Sequence, residues 1–280
     1  MFVVSGTKRS GTSMWMQVLH AAGLPVLGSQ FPKNWGQGAL RDANPHGFFE
    51  GPYRDGIFFG TNPDPQTGNY LRAEQTRGQV VKVFVPGVVR TELAFIDGVV
   101  ANVRRWQDYA ASVTRLWALE DEQRAAEAPE TEAPLRVPAH LEWWHENFSL
   151  LRDHHQRGYP LMLQTYEQVL ADPQHYVALA LELIGEGDVA AACAEVKPSA
   201  RTQREAASSD VEPRIAGVLD ELYEVVAQRT PLQGTLLRHF VETDRELGPA
   251  LAEIKIERAR RMLASGEPPP ASFVVAANMS

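Results

Sequence analysis

A glycine-bounded loop lies almost at the start of the chain. Gly6 and Gly11 enclose four residues, after a short apolar run and before a helical pattern that begins at Thr12. A loop between a strand and a helix turns several backbone N–H groups toward one point, where the helix dipole also favours negative charge. The sequence therefore predicts an anion site, and the glycine spacing is that of a phosphate-binding loop.

The cations of this loop lie inside the turn. A nucleotide triphosphatase has lysine directly after the second glycine, where this chain has Thr12. Here Lys8 and Arg9 precede that glycine, and the planar guanidinium of Arg9 can bind two oxygens of one anion. The hydroxyls of Ser10, Thr12 and Ser13 add further donors. A single phosphate, or a phosphate joined to another group, suits this loop better than a triphosphate.

An arginine and a serine form a second candidate anion site. Arg104 follows the apolar run Gly98–Val103, and Ser112 lies eight residues later on a predicted helix. An arginine at the C-terminal edge of a strand and a hydroxyl two turns into the next helix can converge on one anion. Arg105 is the neighbouring alternative, and a surface arginine beside an unrelated helix serine is the competing interpretation.

Several stretches resemble the sulfotransferases that use 3'-phosphoadenylyl sulfate (PAPS). "SGTKRSGTSM" is similar to their 5'-phosphosulfate loop, with Arg9 at the basic catalytic position. "GVVANVRRWQDYAASV" gives Arg104 and Ser112 the spacing of the pair that holds the 3'-phosphate, and "PLMLQTYEQVLADP" places Tyr166 where the family brings a tyrosine toward adenine. "NPHGFFE", residues 44–50, is similar to a stretch of bacterial members.

The resemblance implies transfer of a sulfuryl group from PAPS to a hydroxyl, or less readily an amine, of a small molecule or glycoside, without a metal. It implies a donor site formed by Lys8, Arg9, Ser10, Gly11, Thr12, Ser13, Arg104, Ser112, Tyr166 and Arg201. Two positions depart from the family pattern. Met14 replaces the tryptophan that stacks on adenine in animal members, and Trp15 lies one place out of register. The family's glycine-rich C-terminal loop is not recognisable either, and Arg201 and Arg204 are the candidates to substitute for it.

A general base must also reach the acceptor hydroxyl. Glu50 is the first candidate because it ends the aromatic stretch "GFFE", and the family uses either glutamate or histidine in this role. His46 is the second candidate, whereas His20 is expected to face the core. The acceptor pocket, or alternatively the core, would contain the aromatic residues Trp35, Phe48, Phe49, Trp143 and Trp144.

Composition excludes several other classes of protein. The 280 residues carry a net charge of -8, which disfavours a nucleic-acid partner. No run of about 18 apolar residues predicts a membrane span, and a single cysteine, Cys193, fits a reducing compartment, so a cytoplasmic protein is expected. Cys193 is interpreted as an inert core thiol, and the sequence Asp153–His155 as a solvated helix face rather than a metal site.

Apolar runs alternate with helical patterns along the chain. The predicted strands are Phe2–Ser5, Val80–Val85, Gly98–Val103 and Tyr159–Tyr166. The predicted helices between them are Thr12–Ala22, Gln107–Leu119, His140–Gln156 and Gln174–Leu183. Strands that are apolar throughout are covered on both faces, so the pattern predicts an α/β sandwich with a parallel sheet, helices on both faces and a ligand at the C-terminal strand ends.

The predicted domain organisation has three parts. An α/β domain spans residues 1–210 and includes an acidic, proline-broken stretch at 118–138 that is interpreted as a mobile connection or lid. A helical extension spans 211–265, and the sequence leaves open whether it caps the sheet or forms a homodimer. A proline-led tail follows at 266–280.

Two other functions remain open at this point. A P-loop kinase or nucleotide hydrolase with an altered loop would need a carboxylate for magnesium at a strand end. A non-catalytic module would keep the fold and bind the nucleotide without turnover.

Overall fold

A five-stranded parallel sheet forms the centre of the computed structural model, which describes residues 1–31, 47–127, 133–197 and 211–264. The strands are β1 Phe2–Gly6, β2 Val26–Leu27, β3 Val80–Lys82, β4 Gly98–Val103 and β5 Leu161–Thr165. Their order is β2-β3-β1-β4-β5, and every neighbouring pair is parallel. The first strand is therefore central, and the loop that follows it emerges between the C-terminal ends of β3 and β4.

Helices cover both faces of this sheet. In the described chain they are α1 Thr12–Ala21, α2 Val85–Arg90, α3 Trp106–Glu127, α4 Ala139–Arg157, α5 Tyr166–Ala171, α6 Pro173–Ile184, α7 Val189–Ala194, α8 Pro213–Ala227 and α9 Gly234–Ala264. Val4 packs in one core with α1, α6 and α7, while Val3 packs in another with α2 and α4. The predicted α/β sandwich with a parallel sheet is confirmed, and the two cores explain why its strands are apolar on both sides.

The boundaries of some predicted elements were wrong. The run Val80–Val85 is not one strand, because β3 ends at Lys82 and α2 begins at Val85 with Pro86 in its first turn, a position that proline favours. The stretch at 118–138 is not a mobile connection throughout. Helix α3 continues to Glu127, and Arg136 donates hydrogen bonds to Glu120 and Asp121 at 2.5 and 2.9 Å.

The C-terminal helices pack against the body of the protein. Phe240 of α9 contacts Trp144 and Phe148 of α4 edge to face, with ring centroids 5.5 and 6.0 Å apart. Helix α8 buries its apolar face against the same cluster. These helices therefore cap α3 and α4, while dimerisation stays a prediction and the tail at 266–280 lies outside the described residues. No helix in the described ranges is long and apolar enough to cross a membrane.

This packing predicts that α9 belongs to the cooperative fold. Phe240 is fully buried, so Phe240→Ala is expected to lower the free energy of unfolding by about 3–5 kcal/mol, measured by urea denaturation. Leu263→Ala is the matched control, because Leu263 lies in the same helix with 60% of its surface exposed, and its effect should stay within about 0.5 kcal/mol. Equal stability of the two variants would contradict the packing role of α9.

Candidate anion-binding site

The loop after β1 has the backbone geometry of an anion cradle. Gly6 has a φ of 137°, and a Cβ there would lie 2.4 Å from the Ser10 hydroxyl oxygen. Gly11 has a φ of 99°, and a Cβ there would lie 2.6 Å from the ring of Tyr166. Arg9 also adopts a left-handed conformation, with a φ of 68°. Both glycines are therefore required by conformation and by close approach of neighbouring groups.

The loop hydroxyls have different roles. The hydroxyl of Ser10 donates to the carbonyl of Thr7 at 2.7 Å and is fully buried, so it closes the loop instead of serving as the predicted outward donor. The Thr7 hydroxyl is also fully buried, and it has no hydrogen-bond partner within the described residues. Thr12 is buried in the first turn of α1, and Ser13 is partly exposed beside it. A buried hydroxyl without a partner is the kind of group that a bound anion satisfies.

The second sequence motif meets the loop directly. The Nε of Arg9 donates to the Ser112 hydroxyl at 3.1 Å, and Arg104 donates to the carbonyl oxygen of Arg9 at 3.1 Å. The guanidinium of Arg104 lies 5.4 Å from the ring centroid of Tyr166, which in turn packs against Gly11. The structure thus brings together five residues that the sequence analysis took from three separate stretches.

The two neighbouring arginines of the second motif differ in exposure and in the groups that they contact. Arg105 is exposed and lies over the ring of Tyr223 at 4.7 Å, whereas Arg104 is 6% exposed and faces the loop. The carbonyl of Arg104 accepts a hydrogen bond from the Trp143 indole at 2.8 Å. Helix α4 therefore holds the end of β4 in place, and Arg104, not Arg105, contacts the loop.

A buried polar cluster supports the loop from below. Asn102 accepts hydrogen bonds from the Trp15 indole at 2.8 Å and from Gln164 at 2.5 Å. Trp15 is fully buried, so it is not available to stack on a base, and Met14 also packs against this core. The sequence analysis did not single out Asn102, although an asparagine inside the apolar run "GVVANV" is a signal that could have identified it.

Lys82 is a second residue that the sequence analysis missed. It ends β3 with 3% of its surface exposed, and its ammonium donates to the Ser13 hydroxyl at 3.3 Å and to the carbonyl of Phe48 at 3.0 Å. Burial, together with the charges of Arg9 and Arg54, lowers the pKa of Lys82 to about 8, while Glu50 acts in the opposite direction. A lone lysine in the apolar run "VVKVFV" could have indicated this position.

The candidate base Glu50 is held by cations. One carboxylate oxygen lies 3.6 Å from the Lys82 ammonium, and the other accepts a hydrogen bond from Arg54 at 3.0 Å. The observed contacts of Glu50 are therefore those of an ion pair that orients Lys82. His46, the second candidate, lies outside the described residues, as do Arg201, Arg204 and Trp35.

Positive charge accumulates around Arg9. Burial, and then the neighbouring charges of Arg104 and Arg115, lower the pKa of Arg9. Lys8 lies 5.9 Å and Lys82 lies 5.6 Å from the ring centroid of Phe84, at the start of α2. Several cations thus share one strand-end region with a helix N-terminus, which favours binding of an anion with more than one negative charge.

The other residues named in the sequence analysis lie outside the anion-binding loop. His20 is exposed rather than facing the core, and Asp153 is buried rather than solvated, since it pairs with Arg157 at 2.7 Å. Cys193 is partly buried, and burial raises the pKa of its thiol, as an inert thiol requires. Phe48, Phe49, Trp143 and Trp144 are buried in the core. The described residues contain no group of His, Cys, Asp and Glu arranged to bind a metal.

Comparison with known proteins gives matches among solved structures. No protein-family model and no curated protein matches the chain. A crystal structure of the mouse sulfotransferase SULT7A1 complexed with PAP is similar at 13% identity and a TM-score of 0.42, over 88% of each chain. A sulfotransferase domain from the curacin biosynthetic pathway is similar at 14% identity and a TM-score of 0.41, over 87% of this chain and 96% of that chain.

The low pKa of Lys82 predicts a pH-dependent stability. Between about pH 8 and its ordinary pKa of 10.5, the unfolded chain binds a proton that folded Lys82 has lost, so the free energy of unfolding should rise with pH in this window. In Lys82→Met this contribution is expected to disappear. Urea denaturation at a series of pH values measures the difference between the two proteins. A difference that stays constant through the window would contradict the lowered pKa.

Proposed function

We propose that the chain is a sulfotransferase that transfers the sulfuryl group of PAPS to a hydroxyl of a small molecule or glycoside in the cytoplasm. The observation that carries this proposal is the contact between the two candidate anion sites. Arg9 in the loop donates to Ser112 at 3.1 Å, and Arg104 donates to the Arg9 carbonyl at 3.1 Å. A donor whose ribose carries phosphate groups at the 5' and 3' positions would contact both sites at once.

The loop suits the 5'-phosphate end of this donor. Its glycines leave space where side chains would stand, and the buried Thr7 hydroxyl lacks a partner within the described residues. The 3'-phosphate would be held by Arg104 and Ser112, and Tyr166 lies beside Arg104 where it would contact the base. The residues proposed to hold the donor are thus Thr7, Lys8, Arg9, Gly11, Thr12, Ser13, Arg104, Ser112 and Tyr166.

Transfer of a sulfuryl group requires charge stabilisation on the leaving phosphate. PAPS supplies the activated sulfuryl group, and the protein supplies position and positive charge. Arg9 is proposed to stabilise the charge that grows on the bridging oxygen, with Lys8 beside it. Lys82 adds a nearby ammonium whose position is fixed by Ser13 and Glu50. These groups are oriented before the reaction, so little reorganisation is needed during transfer.

The kinase alternative is less well supported by the strand ends. A P-loop kinase needs a carboxylate that binds magnesium close to the phosphates. None of the five described strands contains aspartate or glutamate, and the strand end beside the loop has Lys82 instead. A non-catalytic module would bind the same nucleotide, so only turnover separates it from an enzyme.

Ligand-induced stabilisation tests the choice of nucleotide. Adenosine 3',5'-bisphosphate is expected to raise the melting temperature, because a ligand that binds only the folded state stabilises it. ATP with magnesium and buffer alone are the comparisons in the same thermal-shift assay. If ATP with magnesium raises the melting temperature and adenosine 3',5'-bisphosphate does not, the result would support the kinase and reject the sulfotransferase.

Arginine variants test the site. Arg104→Ala should weaken binding of adenosine 3',5'-bisphosphate by about 10- to 100-fold, because a charge-assisted hydrogen bond contributes about 1.5–3 kcal/mol. Arg9→Ala should lower sulfuryl transfer by about 10²–10³. Arg105→Ala is the matched control, since Arg105 lies over Tyr223, and it should bind normally. Calorimetry measures binding, and mass spectrometry of hydroxyl-compound pools measures the added sulfo group.

Normal binding by Arg104→Ala and normal transfer by Arg9→Ala would together reject the site. Weak binding by the Arg105→Ala control would instead show that Arg105, and not Arg104, is the arginine of the second anion site.

A further inference from the structure

A cavity of about 670 Å³ opens beside β5, the last strand of the described sheet. Its volume is in the range of pockets that bind small molecules, about 300–1,000 Å³. Three consecutive residues of β5 line it, from Leu161 to Leu163. Successive side chains of a strand point to opposite faces of the sheet, so a cavity that touches all three residues lies along the open edge of β5 and not over one face.

The cavity is separate from the anion-binding loop. Leu161 begins β5, and Thr165 ends it on the side of the sheet where the loop lies. These four steps along a strand span about 13 Å. Residues of α4, α6, α8 and the turn between α8 and α9 form the remaining walls, and none of the residues proposed to hold the donor lines the cavity.

Most of the lining is apolar. Leu151 of α4, Leu179 of α6 and Val225 of α8 contribute to it from three helices. Leu179 is partly exposed and belongs to none of the hydrophobic clusters of the described residues, so its side chain contributes to the cavity wall and not to the core. An apolar wall that is open to water favours a ligand with an apolar body.

The backbone of β5 presents hydrogen-bonding groups at the same edge. The carbonyl of Pro160 accepts a hydrogen bond from β4 at 2.9 Å, so the alternation of the strand turns the N–H and C=O groups of Leu161 and Leu163 away from β4. Thr165, the next residue in this alternation, agrees, because its N–H donates to the Gln168 side chain at 3.0 Å. An amide group of a ligand can pair with such an edge.

The polar side chains of the lining favour an anion. They belong to His154, His155, Arg229, Thr230 and Gln233, and no Asp or Glu occurs among the described residues that line the cavity. Arg229 forms no ion pair within the described part of the chain, and its guanidinium lies 5.7 Å from the ring centroid of Tyr176. A carboxylate in the cavity would therefore meet a cation and no like charge.

Arg229 also has a backbone conformation that glycine usually adopts. Its φ is 53°, it follows the C-cap of α8, and its N–H donates to the carbonyl of Val226 at 3.1 Å. The left-handed region is strained for a residue with a Cβ, and glycine is the common residue after a helix C-cap. The chain thus has an arginine beside the cavity at a position where the backbone favours glycine, a pattern that is associated with function.

We propose that the cavity binds a small amphipathic carboxylate of the N-acyl amino acid class. The acyl chain contacts the apolar walls around Leu179, the amide pairs with the strand edge at Leu163, and the carboxylate binds Arg229. The four elements around the cavity limit its length, which suits a small molecule better than a long peptide. This site is additional to the donor site and does not rest on the proposed sulfotransferase function.

Calorimetric titration with N-decanoylglycine tests the proposal. One molecule should bind per chain with a Kd below about 1 mM, the level expected for about 16 non-hydrogen atoms. Decanoate lacks the amide and should bind about 2- to 10-fold more weakly. The methyl ester of N-decanoylglycine lacks the charge and should bind about 5- to 10-fold more weakly. Absence of saturable binding, or affinities that do not change when the amide or the charge is removed, would overturn the proposal.

Arg229→Gly separates the charge of the site from its fold. It should weaken binding of N-decanoylglycine by about 5- to 10-fold and leave binding of the methyl ester unchanged, because only the free carboxylate contacts the guanidinium. Glycine suits a φ of 53°, so the melting temperature should stay the same or rise. Arg238→Ala is the matched control, since Arg238 is exposed on α9 and does not line the cavity. Equal losses for acid and ester in Arg229→Gly, or the same loss in Arg238→Ala, would contradict the role of Arg229.

Filling the cavity locates the ligand. Leu179→Trp and Leu232→Trp each place an indole in the cavity, from α6 and from the turn after α8, and each should abolish measurable binding because the indole takes the space of the acyl chain. Circular dichroism checks the fold, and one folded variant is sufficient. Normal binding by a folded variant would place the ligand elsewhere and overturn the proposal.

A blocked peptide tests the other possible occupant, an extended segment that adds to the edge of β5 as a further strand. The probe is acetyl-Ser-Phe-Val-Val-amide, which has apolar side chains and amides but no carboxylate. It should bind more weakly than N-decanoylglycine in the same titration. If it binds more tightly, the edge takes a peptide strand and the proposed ligand class is wrong.

Discussion

The contact between Arg9 and Ser112 is the interaction on which the site depends. It joins a loop after the first strand to a helix after the fourth strand, at a distance of 3.1 Å between residues 103 positions apart. Arg104 donates separately to the Arg9 carbonyl, and burial and the neighbouring positive charges lower the pKa of Arg9. Such a concentration of positive charge favours binding of a ligand with several negative charges.

The parallel sheet makes this convergence possible. Because all five strands point the same way, β1, β3 and β4 end at one edge, and each contributes a group there: the loop, Lys82 and Arg104. Helix α4 fixes the end of β4 through the Trp143 indole, and α8 and α9 hold α4 through the aromatic cluster around Phe240. The C-terminal helices therefore support the site without contributing its anion-binding groups.

Two buried or partly buried glutamates have different environments. Glu50 pairs with Lys82 and Arg54, so its charge is stabilised in place, whereas Glu146 is buried without a partner in the described chain. Burial, followed by the charge of Glu142, raises the pKa of Glu146. Sequence alone does not distinguish these two residues, because the difference lies in which cations reach each carboxylate.

The amino-acid sequence by itself determined the loop, its glycines, the strand Gly98–Val103 and the parallel fold class, because these follow from local backbone geometry and hydrophobic periodicity. It also identified Arg9 and Arg104, since a motif fixes their position relative to a strand end. Only the tertiary structure decided that Ser10 is used inside the loop and that Lys82 joins the site. Burial and the choice of partner depend on the packing of elements far apart in sequence, which no local pattern encodes.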